Sequence, residues 1–288
     1  MKTGEDHGLY DYSPIIDRWP LRWPDGARVA VWVIPNIEHY ELEAEHGKID
    51  VRNYSRTDYG NRVGLWRLME LMDRHGIRGT VALNAAVCRH YPRIIEEVLK
   101  RDWELMGHGL TNSELLPAAP PGEEREVILR TVTMIREATG RPVRGWLGPA
   151  LAETPGTLDL LQEAGIEYVC DWVNDDQPYR MRNGLYSIPY SIEINDMPLF
   201  REPSITPADY AQMVSDAFDV LHREGEHQGR VLGLPLHPFL IGTPHRIGAL
   251  DRALSYIQHH AKVWFATGAE IIAWYRNAES AHRAGGGT

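Results

Sequence analysis

The sequence predicts an α/β protein built as a parallel barrel, and three observations carry that prediction. Short apolar, β-branched runs alternate with amphipathic stretches at helical spacing along most of the chain. About seven or eight such units fit, and few of the apolar runs show the polar alternation of a sheet edge. No glycine-rich phosphate loop follows the first run, which counts against the competing open, doubly wound sheet.

The units follow one grammar. Val29 to Ile34 reads as a buried strand that closes on Asn36 and Glu38. A helix with Val63, Trp66 and Met69 beside Leu65, Leu68 and Met72 follows and stops at Gly76. The strand IRGTVALN closes on Asn84, and the helix YPRIIEEVLKR leads to the strand WELMGH, which closes on His108. The next helix carries acids in its first turn and Gly140 past its end, before the strand PVRGWLGP. Thr154 and Pro155 open the following helix, Gly165 stops it, and IEYVCDW runs to Asp171. YSIPYSIEIN is expected as a strand interrupted by Pro189 and closing near Asn195. A second Thr-Pro helix leads to RVLGLPLHP, which closes on His237, and one more helix, the strand VWFAT and a last helix finish the chain.

The 288 residues are 43% hydrophobic and 24% charged, the balance of a soluble globular protein with a core large enough to need no staples. A single domain over 1–288 is expected, with residues 1–20 as an N-terminal arm and 279–288 as a flexible tail. A net charge of −10 argues against nucleic acid or an anionic membrane surface as partner. Cys88 and Cys170 are far apart in apolar surroundings and read as two free buried thiols. The N-terminal stretch lacks the apolar core of a signal peptide and no run is long enough to span a membrane, so a cytoplasmic location is expected.

In a β/α barrel the loops after the strands build the active site, so the polar closing residues converge on one rim. Glu38, His108, His237 and an acid at Asp175 are the candidate catalytic groups. Gly107 and Gly109 flank His108 and permit close approach of a ligand. Pro238 fixes the turn after His237. Asn36, Asn84, Asn112, Asn195, Pro149 and Trp172 are candidate substrate contacts. The competing role for Asn84 and Asn195 is turn formation, and most tryptophans, such as Trp66 and Trp103, read as core.

With these residues assembled, the chain resembles the polysaccharide deacetylase (NodB-homology) superfamily, closest to its metal-independent allantoinase and cyclic imide hydrolase branch. The likeness rests on WPDGARVAVWVIPNIE, WELMGHGLTNSE, TGRPVRGWLGP, NDDQPY, EINDMPLF and LPLHPFLIGTPHR. It implies a distorted barrel of (β/α)7 type. It also implies a divalent metal held by one carboxylate and two histidines a helical turn apart. Those positions fall on Glu38, His108 and Asn112, and the usual base falls on Asn36. The arginine of the motif that closes the pocket is absent at Gly148-Pro149, the general-acid histidine falls on His237, and the fourth-motif aspartate on Asp175 or Asp171. An amide at Asn112 makes a weak zinc ligand, and an asparagine at 36 cannot take a proton.

The expectation is therefore an amidohydrolase that opens a small cyclic amide, imide or ureide with no catalytic metal, as a homo-oligomer such as a tetramer. The alternatives are a zinc-dependent N-acetyl-sugar deacetylase using Glu38, His108 and Asn112, and a barrel that binds a ligand without turning it over.

Overall fold

The computed structural model describes residues 6–42, 49–113, 115–116, 122–201 and 205–285. Two short 3-10 turns at Ile15–Asp17 and Pro24–Gly26 precede β1 (Val29–Ile37) and α1 (Val51–Tyr59), then a π turn at Gly60–Gly64 continues into α2 (Leu65–Arg74). Next come β2 (Thr80–Leu83), α3 (Ala85–His90), α4 (Pro92–Lys100), β3 (Glu104–Gly107) and α5 (Glu124–Thr139). β4 (Gly145–Trp146), α6 (Thr157–Glu163), β5 (Tyr168–Val169), β6 (Tyr179–Arg180) and β7 (Tyr186–Ser187) form the middle. The remainder is α7 (Asp196–Arg201), α8 (Pro207–Glu224), β8 (Arg230–Leu236), α9 (Ile247–Gln258), β9 (Val263–Phe265) and α10 (Gly268–Ala284). Among the described residues no helix is long and apolar enough to cross a membrane.

The parallel strands run β7-β5-β4-β3-β2-β1-β8, with β6 antiparallel outside β7. They curl into a distorted barrel, as predicted. One edge of β1 pairs with β8 along Val29–Pro35. On its other edge, β9 takes Val29–Val31 and β2 takes Asn36 and Ile37, so the sheet splays around Trp32–Pro35. No ladder joins β7 to β8. The Val231 N–H donates to the Asp176 carbonyl at 2.9 Å, and a Cβ on Gly233 would come 2.9 Å from the Pro189 carbonyl, so the intervening chain lies tight against β8.

Strand periodicity divides the core in two. Val29, Val31 and Val33 face the outer helices, where the apolar stripe Leu65, Leu68, Met69 and Met72 of α2 also packs. Ala30, Trp32 and Ile34 face the barrel interior with Ala82, Met106, Leu147, Tyr168 and Cys170. At the floor, Trp32 Nε1 donates to Thr80 Oγ1 at 2.8 Å, and Thr80 Oγ1 donates to Glu104 Oε2 at 2.8 Å. Glu104 also accepts the Tyr168 hydroxyl at 2.7 Å and the Ala269 N–H, in the first turn of α10, at 2.9 Å. The start of α10 thus seals the floor, and Thr267 caps it in a reciprocal box with Glu270. Because Glu104 satisfies three donors here, Glu104→Ala is expected to lower stability by about 3 kcal/mol, read as a fall in the urea midpoint at unchanged slope.

Three local expectations change. The stretch 186–195 pairs only at Tyr186–Ser187, because Pro189 has no N–H and the chain beyond it leaves the sheet. Thr154 is not a helix cap, since its hydroxyl bonds Glu124 and the Gly156 N–H, and α6 begins at Thr157. The tail is helical to Ala284, held by a 2.9 Å hydrogen bond from the Tyr186 hydroxyl to buried Glu279; residues 286–288 lie outside the described residues.

Candidate active site

The two-residue strand period carries the inward face of each strand upward to a polar residue at the mouth. In β1 it runs Ala30, Trp32, Ile34, then Asn36 and Glu38. In β2 it runs Thr80, Ala82, Asn84, and in β3 Glu104, Met106, His108. β8 delivers His237 by the same rule. Asn36, Glu38, His108 and His237 are all buried and line one cavity of about 430 Å³ with Tyr40, Asn112, Pro149, Tyr190, Asn195 and Arg201.

Glu38 is the centre. Its Oε1 lies 3.4 Å from His108 Nε2 and 3.6 Å from His237 Nε2, and its Oε2 accepts the Tyr40 hydroxyl at 3.0 Å. Burial favours the neutral acid, but His237, His108 and Tyr40 together outweigh it and hold the carboxyl below its usual range. Glu38 is therefore a carboxylate, not the burial-raised acid that a base poised at neutrality would require. His108 Nδ1 lies 2.6 Å from the Leu147 carbonyl, so Nδ1 carries a proton and Nε2 is presented to the cavity.

His237 is held by a residue the sequence reading did not single out. Asp196, fully buried at the start of α7, accepts His237 Nδ1 at 2.7 Å, the His237 N–H at 2.8 Å and the Ile241 N–H at 3.3 Å. Burial favours neutral His237, yet the Asp196 and Glu38 carboxylates prevail and raise its pKa above the usual imidazole value. A low carboxyl beside a high imidazole separates a base from an acid.

The asparagines brace more than they bind. Asn84 Oδ1 accepts the His39 N–H at 2.9 Å; its Nδ2 donates to the His108 carbonyl and to Asn112 Oδ1, the latter at 3.0 Å. Asn112 Nδ2 donates to the Tyr40 hydroxyl at 3.2 Å, which donates on to Glu38. The chain Asn84–Asn112–Tyr40–Glu38 thus engages the Asn112 oxygen, the atom a metal would need. Among the described residues no three His, Cys, Asp or Glu side chains are placed to hold an ion. The donor set Glu38, His108 and Asn112 does not fit a catalytic zinc.

Asn36 donates to the Ile34 carbonyl at 3.2 Å and accepts the Tyr190 hydroxyl at 3.4 Å, beside Glu38 in the cavity. Asn195 reaches the cavity wall while its Oδ1 accepts the Met197 N–H at 2.8 Å. Three expected residues are elsewhere. Asp175 forms an ion pair with Arg18 at 2.5 Å, because the N-terminal arm folds back onto that loop. Trp172 packs edge-on against Tyr10, 5.5 Å between ring centres. Asn84 lies behind the wall. Tyr40, Tyr190 and Arg201 line the cavity unforeseen. Tyr40 follows Glu38 by two residues, and that spacing was the available signal.

The sequence profile of the polysaccharide deacetylase family matches residues 54–169. A putative polysaccharide deacetylase of Schizosaccharomyces pombe is 28% identical over 88% of this chain and 92% of its own. Among solved structures, PuuE allantoinase superposes with a TM-score of 0.83 at 28% identity, covering 93% of this chain and 98% of that one. A probable polysaccharide deacetylase from Pseudomonas aeruginosa PAO1 gives 0.82 at 29% identity, over 91% and 96% of the two chains.

Proposed function

We propose that this chain, which is similar to the polysaccharide deacetylase family over residues 54–169 and to PuuE allantoinase over nearly its whole length, is a hydrolase of carbon–nitrogen bonds that opens a small cyclic amide, imide or ureide without a catalytic metal. The observation that carries this reading is the chain Asn84–Asn112–Tyr40–Glu38, which puts a hydrogen-bonded amide and a phenol where a second histidine ligand would stand. The likeness to PuuE allantoinase over nearly the whole of both chains supports it.

In this reading Glu38 removes a proton from the attacking water, which His108 Nε2 orients at the same point. His237, charged and fixed by Asp196, donates from Nε2 to the developing charge and then to the departing nitrogen. Asn36 offers the ring edge an amide beside the reacting centre. The names of the yeast and Pseudomonas relatives favour a second reading, a polysaccharide deacetylase, which in this chain would need a metal at Glu38 and His108.

One experiment separates the two. Elemental analysis of the purified protein is paired with hydrolysis assays on hydantoin, succinimide, dihydropyrimidine and allantoin types and on an N-acetylated chitooligosaccharide. Ring opening that survives a chelator is expected. Stoichiometric zinc, with deacetylation abolished by the chelator and restored by Zn²⁺, would replace the proposal with the second reading.

A further inference from the structure

On the outer side of the barrel wall, behind His108, lie two carboxyls that the reaction does not touch. Asp171, two residues past β5, accepts the Gly148 N–H at 2.7 Å through Oδ1. The carbonyl of the same peptide unit, that of Leu147, accepts His108 Nδ1 at 2.6 Å. One amide plane therefore links Asp171 to His108. The chain then turns through Ala150 and Leu151, at φ of 57° and 56°, and Gly148–Leu151 form one wall of the cavity. Left-handed backbone at two residues with side chains costs roughly 1 kcal/mol each, so this wall needs an anchor.

Glu153 completes the anchor. Asp171 Oδ2 and Glu153 Oε1 are buried, and neither receives a hydrogen from another protein donor. The two carboxyls lie within hydrogen-bonding reach of each other. Burial raises both above the usual carboxylate range, and the charge of Glu153 pushes Asp171 further up. The Trp172 indole N–H favours the charge on Glu153 but bonds neither Asp171 Oδ2 nor Glu153 Oε1, and Glu124 is itself occupied by the hydroxyls of Thr154 and Thr157. Two buried acceptors within reach of each other and without a donor are satisfied by one proton between them.

We propose that Asp171 and Glu153 share one proton, and that this pair positions His108 through the Leu147–Gly148 peptide while holding the 148–151 wall in place. The inference rests on the role given to His108 in the proposed reaction. Asp171 touches no reacting atom and is a positioning residue. The proton resides on Asp171, so its Oδ1 meets Gly148 as the carbonyl of an acid, and an amide serves there equally well.

The test is the His108 Nδ1–H signal by proton–nitrogen NMR, assigned by its loss in His108→Gln and read beside kcat. Asp171→Asn is expected to keep the signal in place and kcat within about twofold of wild type. Glu153→Gln donates to Asp171 and leaves it a full carboxylate. That carboxylate pulls harder on Gly148, makes Leu147 a stronger acceptor and moves the signal downfield. Asp171→Val, which removes the acceptor, is expected to lower kcat about tenfold and move the signal upfield; should it not fold, Glu153→Gln decides. An unmoved signal in Glu153→Gln, or a tenfold loss of kcat in Asp171→Asn, overturns the proposal. The signal is read without substrate, so a wild type inert toward cyclic amides would remove the ring-opening reading and leave this inference to the NMR alone.

Discussion

Glu38→Gln is expected to lower kcat about 10³-fold while binding of an unreactive ring analogue changes little. The amide keeps the shape of the carboxylate and can still accept the Tyr40 hydroxyl, which lies 3.0 Å from Oε2. It cannot take a proton from water. Steady-state kinetics with calorimetric binding would measure the two effects separately. A variant that retains more than a tenth of wild-type kcat would take the base role away from Glu38. The acid limb of the wild-type rate profile should lie below the usual glutamate range, because His237, His108 and Tyr40 overcome the burial that opposes ionisation.

Asp196 should give the second large effect, in stability as well as rate. Asp196→Ala removes a fully buried carboxylate that accepts three N–H groups, two of them from His237, and is expected to cost about 3–5 kcal/mol. Asp196→Asn is milder and more telling. His237 is charged below a folded pKa that Asp196 and Glu38 raise against burial, so the rate falls as pH rises through that raised value. The linkage has the same sign: stabilisation by the imidazolium is complete below about pH 6.5 and is lost through the raised folded pKa. Neutralising Asp196 moves the alkaline limb of kcat toward pH 6.5 and flattens the loss of stability above it. An unshifted limb would separate Asp196 from the acid.

How much of this could be read from the sequence follows from the range of each interaction. Asn36, Glu38, His108 and His237 were legible because a strand fixes the direction of every second side chain, and the apolar runs gave the parity. Asn112 was legible as a departure from a one-turn histidine spacing, although its partner Tyr40 was not foreseen. Asp196 was hidden because it reaches His237 across 41 residues, from an irregular stretch without periodicity to phase it. Asp175 was credited instead, in an acidic pair beside a strand end, and only the fold shows Arg18 returning to claim it. The antiparallel β6–β7 pair and the π turn at Gly60–Gly64 left no trace in the hydrophobic pattern, being set by tertiary packing.

The seal at the barrel floor has a consequence for biogenesis. β1 is a nine-residue strand made early, yet it finds β8 and β9 only about 200 residues later, and its floor is closed by the start of α10. Until a ribosome has translated past Gly268, the nascent chain holds an apolar sheet with an open edge and an uncapped base. Such topology folds slowly and exposes aggregation-prone surface meanwhile. Chaperone demand during synthesis should therefore persist until this last helix emerges, and truncations just before it should accumulate as insoluble protein.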